Sequence, residues 1–160
     1  MNLEQVKDLV KSHEGLRLHV YRDSLGYRTI GYGCNLEPSY ARVWCWAARV
    51  QYDKLLAGEI ELTEAQAETI LDEQLEKTVR EARKVFGGQF DLLPDNAAAI
   101  VCDMIFNLGP TRFAEFHRFI EAVKRLDWNE AVSEMLDSVW AKQVPSRVAD
   151  DVRLIGELVK

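Results

Sequence analysis

Apolar residues near the start of the chain change their spacing once, next to a glycine. The first apolar residues recur at intervals of three and four positions: Leu3, Val6, Leu9 and Val10. This spacing predicts an amphipathic helix from Asn2 to His13, and Gly15 is a residue type that commonly follows a helix end. From Leu16 to Tyr21 apolar and polar residues alternate, which is typical of a half-buried strand. The sequence therefore predicts a helix that leads directly into a strand.

A polar, glycine-ended turn follows this strand and predicts a β-hairpin. The turn covers residues 22–26, and residues 27–32 are predicted to return as a second strand. Glu14 at the helix end and Asp23 in the turn thus flank the first strand, and Thr29 lies on the second. The hairpin is expected to hold all three side chains in one small region.

Two carboxyl groups in different surroundings match the division of labour in glycoside hydrolysis. The last carbonyls of a helix carry partial negative charge, which disfavours ionisation of Glu14 and suits a general acid. Asp23, in a turn open to water, suits the carboxylate that activates a water molecule or attacks the sugar. Gly31 and Gly33 leave bare backbone at alternate positions, which allows close approach of a bulky ligand. A lone acidic residue is usually a solvated charge, so the spacing carries this hypothesis.

Helical periodicity dominates the remaining chain. Residues 41–56 are apolar enough for a helix, and Trp44 and Trp46 within it are interpreted as core or lobe packing rather than as a sugar-stacking platform. A capping box formed by Thr63 and Gln66 begins a long helix. The other predicted helices cover residues 97–108, 113–126 and 127–137, with a last helix that begins near Pro145.

The sequence EGLRL at residues 14–18 begins a pattern that is specific in its spacing. Asp23 follows Glu14 by nine positions, and Thr29, which lies within TIGYG, follows Asp23 by six. This pattern resembles the active-site motif of phage lysozymes of the T-even type, glycoside hydrolase family 24. Weaker similarity extends over nearly the whole chain, through IFNLG (105–109), DWNEA (127–131) and WAKQVPSR (140–147).

The resemblance implies an α+β, mainly helical, lysozyme-like fold with two lobes in a single domain. Residues 15–62 are expected to form a small lobe that contains the β-hairpin, and residues 63–85 a long connecting helix. Residues 1–14 and 86–160 are expected to form the helical lobe.

The resemblance also implies roles for individual residues. Glu14 would be the general acid, and Asp23 would act with Thr29 to position and activate a water molecule. Arg147 matches an arginine that the family pairs with the catalytic glutamate, although its position alone equally allows a surface arginine. The positions that align with substrate contacts are Asn35, Phe106, Asn107, Phe119 and Glu134.

Several of these positions depart from the relatives. Asn35, Phe119 and Glu134 differ in residue type, which leaves the subsite preference open, and periodicity alone allows Phe106 to be core. Cys34 and Gln74 stand where relatives carry a histidine and an aspartate, so a stabilising ion pair is expected to be lost.

Composition limits the number of domains, the binding partners and the cellular compartment that the sequence allows. The chain has 160 residues, 48% of them apolar, which suffices for one domain with a real core. A formal net charge of −6 argues against nucleic-acid binding and against stable association with anionic membranes. Cys34, Cys45 and Cys102 are odd in number and widely spaced, which suits reduced thiols in a cytoplasmic protein. No signal peptide or membrane span is predicted.

The resemblance implies that the substrate is the glycan strand of peptidoglycan, cut at the β-1,4 bond between N-acetylmuramic acid and N-acetylglucosamine with inversion. The enzyme is expected to be a monomer without a cofactor or metal. It would remain in the host cytoplasm until a separate membrane-permeabilising protein gives it access to the wall.

Other functions fit the sequence less well. The three histidines form no HExxH zinc motif, and Cys34 lacks the sequence context of a cysteine peptidase. A non-catalytic wall-binding module would not need Glu14, Asp23 and Thr29 together. A lytic transglycosylase would cut the same bond without water and would leave an anhydro sugar.

Overall fold

A computed structural model of the protein describes residues 1–159. Within these residues the chain forms ten α-helices, one 3-10 helix and a three-stranded antiparallel sheet. The predicted α+β, mainly helical, lysozyme-like fold is therefore confirmed. None of the helices in this part of the chain combines the length and apolarity needed to cross a membrane.

The elements follow one another in a simple order. The strands are β1 (Arg17–Arg22), β2 (Arg28–Gly31) and β3 (Cys34–Asn35). The helices are α1 (Leu3–Glu14), α2 (Tyr40–Ala47), α3 (Tyr52–Leu56), α4 (Glu64–Phe86), α5 (Asp95–Leu108), α6 (Pro110–Phe113), α7 (His117–Lys124), α8 (Trp128–Leu136), α9 (Val139–Gln143) and α10 (Pro145–Gly156). The 3-10 helix Gly87–Leu92 separates α4 from α5.

The chain divides into two compact units. The sheet unit consists of residues 7–77, and the helical unit consists of residues 1–6 and 78–160. The division falls within α1 and within α4. The lobe bounds inferred from the sequence, which assign α1 wholly to the helical lobe, stay a prediction.

The sheet unit is built around the predicted hairpin. β1 and β2 pair antiparallel with Tyr21 opposite Thr29, and β2 pairs with β3 so that Ile30 lies opposite Cys34. The third strand was not predicted, because two residues are too short for an alternating pattern to be read. Its effect is to place β2 in the centre of the sheet, with Thr29 buried.

Residues 41–56 form two helices, so the prediction of a single helix was wrong. Arg49 has a left-handed φ of 57° and ends α2, with Val50 N donating to Cys45 O at 2.8 Å. Left-handed residues after helices are usually glycine, so an arginine gives no sequence signal of the break. Trp44 is 7% exposed, as predicted, but Trp46 is 81% exposed, which contradicts its assignment to packing.

The helical unit has α5 at its centre and an aromatic cluster beside it. Ten residues of α5 are buried, in agreement with its nearly uniform apolar sequence. The rings of the cluster lie 6.3–6.4 Å apart in succession and belong to Phe90, Phe86, Phe113 and Phe119. Residues 113–126 form not the single predicted helix but the end of α6, a turn and α7. The predicted start of the last helix at Pro145 is confirmed.

An ion-pair cluster joins α1 to α4 inside the sheet unit. Glu68 Oε2 lies 2.8 Å from Lys7 Nζ, and its other oxygen accepts from Lys11 Nζ. Lys7 Nζ also lies 2.7 Å from Asp72. The hydrogen bonds from the two lysines lower the pKa of Glu68 to about 2. This cluster supplies ion pairs in the unit where the pair expected at Cys34 and Gln74 is lost.

We expect the Glu68 cluster to make stability depend on pH in the acid range. Because the pKa of Glu68 is lower in the folded chain than in the unfolded chain (about 4.3), its contribution is present above that value and is lost as the pH falls towards 2. Glu68→Gln should destabilise the protein at pH 7 by about 1 kcal/mol, a value that allows for the partly exposed setting. Urea unfolding at pH 7 and pH 3 measures this difference.

Glu73→Gln on the same helix is the control, since Glu73 has no ion pair among residues 1–159. The Glu68 variant should lose less stability than the control between pH 7 and pH 3. Identical losses in the two variants would show that the cluster does not contribute.

Candidate active site

Glu14 is the last residue of α1, and its carboxyl group lies against bare backbone. Gly15, with φ of 68°, ends the helix, and its N–H donates to Lys11 O at 3.2 Å. At Gly33 a Cβ atom would lie 2.8 Å from Glu14 Oε2, closer than such atoms approach in proteins. The bare backbone at Gly33 therefore leaves room for the side chain of Glu14, and the approach of a bulky ligand to the two glycines stays a prediction.

Asp23 is held by the turn that it begins. Its Oδ1 accepts from the backbone N–H groups of Leu25 and Tyr27, both at 2.9 Å, in an Asx turn. Gly26, with φ of 86°, completes the turn by donating to Asp23 O. Within residues 1–159, Oδ2 makes no hydrogen bond. One carboxylate oxygen thus fixes the side chain, and the other is available to a water molecule.

Thr29 lies in the central strand and is 3% exposed. It pairs with Tyr21 on one side and Asn35 on the other. Its hydroxyl donates to Tyr27 O at 3.0 Å, which uses its only hydrogen. The oxygen keeps lone pairs that can accept a hydrogen bond from water.

Tyr21 on β1 is a site residue to which sequence reasoning gave no role. Burial raises the pKa of its hydroxyl, and the negative charges of Glu14 and Asp23 act in the same direction. The guanidinium of Arg17, 4.3 Å above the ring, opposes them. The alternation of β1 already placed Tyr21 and Arg17 on one face.

Asn35 lies on β3, opposite Thr29. It is partly exposed, and its Oδ1 accepts from Glu37 N at 2.9 Å. Glu37 in turn binds Arg28, with Oε1 and Nε 2.9 Å apart. The turn after β3 therefore orients the Asn35 amide, and the amide nitrogen remains as a possible donor to a ligand.

Two candidate substrate contacts lie near the end of α5 in the helical unit. Phe106 and Asn107 are both partly exposed, in contrast to the buried residues before them. Asn107 Oδ1 accepts from Trp140 Nε1 at 2.8 Å, and Trp140 is itself buried. The Asn107 side chain is therefore fixed in place, while Phe106 offers part of its ring to solvent.

Phe119 and Glu134 line a cavity of about 550 Å³ in the helical unit. Phe119 is only 1% exposed and packs edge-on against Phe113, so it contributes to the cavity wall from within the core. Glu134 lies 3.6 Å from Arg118, which also lines the cavity. The structure brings these two positions together, with the charged group more accessible than the ring.

Arg147 is buried in the helical unit and binds an acidic residue that sequence reasoning missed. Its Nε lies 3.1 Å from Asp103 Oδ2 on α5. Asp151, one turn after Arg147 on α10, is also fully buried, and its carboxyl lies within 4.8 Å of that of Asp103. Burial raises the pKa of Asp151 to about 9, the charge of Asp103 adds to this, and Arg147 opposes it. One guanidinium therefore lies near two carboxyl groups, and burial favours the neutral form of Asp151.

The three cysteines do not form a second catalytic centre. Cys34, Cys45 and Cys102 are unpaired and buried, as predicted for reduced thiols. Burial raises the pKa of the Cys34 thiol, which opposes formation of the thiolate that a peptidase needs. The buried thiols therefore offer no nucleophile of the kind that a cysteine peptidase uses.

Comparison with known proteins agrees with this geometry. The family model described as Phage lysozyme matches residues 11–150. The chain belongs to the phage lysozyme family. Its matched region contains every catalytic and substrate-contact candidate named above.

Curated relatives of this phage lysozyme family member extend over most of the chain. It is 23% identical to "Probable T4-type lysozyme 1" and to "Probable T4-type lysozyme 2" of Dictyostelium discoideum, with 91% of this chain and 89% of each relative covered. It is 25% identical to the pre-baseplate central spike protein Gp5 of Enterobacteria phage T4, over 89% of this chain and 26% of that protein. The protein is thus a glycoside hydrolase with lysozyme function, and peptidoglycan is its substrate.

Proposed function

We propose that this lysozyme hydrolyses the β-1,4 bond between N-acetylmuramic acid and N-acetylglucosamine with inversion at the anomeric carbon. The observation that carries the proposal is the pair of carboxyl groups with different surroundings, one at the end of α1 and one in the turn after β1. Glu14 lies against the backbone at Gly33, and Asp23 is held by two backbone N–H groups. Two such groups can serve as separate acid and base.

In the proposed mechanism Glu14 donates its proton to the glycosidic oxygen as the bond from that oxygen to the anomeric carbon breaks. A water molecule bound by Asp23 Oδ2 and Thr29 Oγ1 attacks the anomeric carbon from the opposite face, and its proton passes to Asp23. Both bonds change on one sugar carbon, so its configuration inverts. Inversion of this kind is expected to require about 6.5–9.5 Å between the two carboxyl groups, which leaves room for the water.

Further residues are proposed to hold the substrate. The partly exposed ring of Phe106 suits an apolar sugar face, and the amides of Asn35 and Asn107 suit hydroxyl or acetamido groups. The cavity that includes Phe119 and Glu134 is large enough for part of a glycan or its peptide. Arg147 is proposed as a positioning residue of the helical unit rather than as a substrate contact, since it is buried.

We further propose that the enzyme works as a monomer. It is expected to reach the wall from the host cytoplasm after a separate membrane-permeabilising protein has opened the membrane. Membership of the phage lysozyme family supports both statements.

Product analysis tests the reaction. Purified sacculi are incubated with the wild type, with Glu14→Gln as the blank, and the fragments are analysed by mass spectrometry and by NMR of the freshly formed anomer. We expect reducing-end N-acetylmuramic acid, initially as the α-anomer, from the wild type alone. Anhydro-muramic products would identify a lytic transglycosylase, new amino termini a peptidase, and binding without products a wall-binding module.

A further inference from the structure

Trp46 is exposed on the surface of the sheet unit beside a cavity. Its side chain is 81% exposed although tryptophan is among the residues that gain most from burial. The adjoining cavity, of about 600 Å³, is lined by Trp46, Ala47, Arg49, Val50 and Gln51. None of these residues belongs to the candidate active site. The lining combines one large aromatic ring with two long polar side chains.

Arg49 has an exposed guanidinium group that the fold does not use. Among residues 1–159 its side chain makes no ion pair or hydrogen bond, whereas the nearby Arg42 lies over the ring of Tyr52 and 3.3 Å from Asp53. The backbone at Arg49 is left-handed, a conformation that glycine adopts at lower cost. The local fold therefore explains neither the charge nor the choice of residue.

We propose that Trp46, Arg49 and Gln51 form a second, non-catalytic binding site for peptidoglycan strands. This inference rests on the proposed wall-hydrolysing function. An exposed indole can stack on the apolar face of a pyranose ring, and an amide such as Gln51 can bond its hydroxyl or acetamido groups. The guanidinium of Arg49 suits the carboxylates of the peptide stems. In a chain with a net charge of −6, such a local cation offsets repulsion from the anionic wall.

A second site of this kind would act through avidity. The wall is a repetitive polymer, so one strand held at Trp46 raises the effective concentration of neighbouring strands at the active site. The site should therefore matter for intact sacculi and not for short soluble fragments. This difference separates it from the catalytic residues.

Binding to sacculi is measured by co-sedimentation in the Glu14→Gln background, so that the wall is not degraded. Trp46→Ala should weaken binding about tenfold, which is less than the roughly 10²–10⁴-fold that complete loss of avidity can cost, because Arg49 and Gln51 remain. Arg49→Gly should also weaken binding while it relieves the left-handed strain, so a loss of folding cannot explain the result. Leu92→Ala removes an equally exposed apolar side chain (83%) from the helical unit and should bind as the parent does. Leu126→Gly is the matched backbone control, since φ there is 59°.

Hydrolysis is then compared in the active background. Trp46→Ala should lose several-fold in rate on sacculi and retain the parental rate on soluble disaccharide-repeat fragments. Parental binding by Trp46→Ala, or an equal rate loss on both substrates, would overturn the second site while the hydrolase function stood. A wild type that cleaves neither substrate would refute the proposed function instead. Trp46→Ala could instead leave binding to sacculi unchanged and abolish binding of the parent to phosphatidylglycerol vesicles, which would assign the surface to a membrane. If it abolished self-association of the parent instead, the surface would be assigned to a second copy of the chain.

Discussion

Gly33→Ala is expected to reduce the rate of wall hydrolysis at least about 100-fold, although the native residue has no side chain. The new Cβ would lie 2.8 Å from Glu14 Oε2, so the carboxyl group of the proposed acid must move. Misplacement of a catalytic group by about 1 Å can cost this much, and removal of a general acid costs about 10²–10⁴-fold. The variant should therefore approach Glu14→Gln in activity.

Gly31→Ala supplies a matched control for the backbone. Both glycines are left-handed, with φ of 64° at Gly31 and 74° at Gly33, so alanine should destabilise either position by about 1–2 kcal/mol. At Gly31, however, the nearest atoms to the new Cβ lie at 3.8 Å and belong to Leu62 and Ala67. The two variants should thus share the loss of stability, and only Gly33→Ala should lose activity.

The loss of activity is measured as release of reducing ends at equal concentrations of folded protein. The loss of stability is measured by urea unfolding. In a Glu14→Gln background Gly33→Ala should cause little further loss, because both changes act on the same carboxyl group. Equal activity in the two alanine variants would show that the contact between Glu14 and Gly33 has no catalytic importance. A large additional loss in the double variant would assign a separate role to Gly33.

Those parts of the fold that depend on local pattern were predictable from the sequence. The capping box at Thr63 and Gln66 is complete in both directions, at 3.1 and 2.9 Å, and α4 follows it as predicted. The break at Arg49 was not predictable, since the apolar pattern continues through it and no glycine marks it. Trp46 was misassigned because helical spacing does not tell which face of α2 is covered.

The candidate site was likewise predictable from the sequence only in part. Glu14, Asp23 and Thr29 lie within 16 residues, so one hairpin positions them and their spacing is visible in the sequence. The contact between Glu14 and Gly33 depends on how the turn after β2 folds back, which the spacing alone does not give. Asp103 was a visible exception in an otherwise apolar helix, yet its partners on α10 follow it by more than forty residues and meet it only through packing.

Arg147, Asp103 and Asp151 form one buried group, but replacement of aspartate by asparagine should have different effects at its two acidic positions. The change should destabilise the protein at Asp103 and be tolerated at Asp151. Asp103→Asn removes the carboxylate 3.1 Å from Arg147 Nε and so breaks an ion pair between two buried side chains. Breaking a buried pair in this way costs about 3–5 kcal/mol. Asp151→Asn replaces a neutral carboxyl group by a neutral amide that can still donate to Asp103. It should therefore be tolerated at neutral pH.

The dependence on pH distinguishes this assignment from simple packing. Because the pKa of Asp151 is raised to about 9 in the folded chain and is about 3.9 in an unfolded one, the folded state binds the extra proton between these values. Wild-type stability should consequently fall as the pH rises from 4 towards 9. Asp151→Asn has no such proton to release. Its free energy of unfolding should therefore exceed that of the wild type by about 1 kcal/mol or more at pH 8, and the difference should be smaller at pH 5. Urea unfolding at the two pH values measures the difference, and a loss of stability in Asp151→Asn as large as that in Asp103→Asn would show that Asp151 is the charged member of the pair.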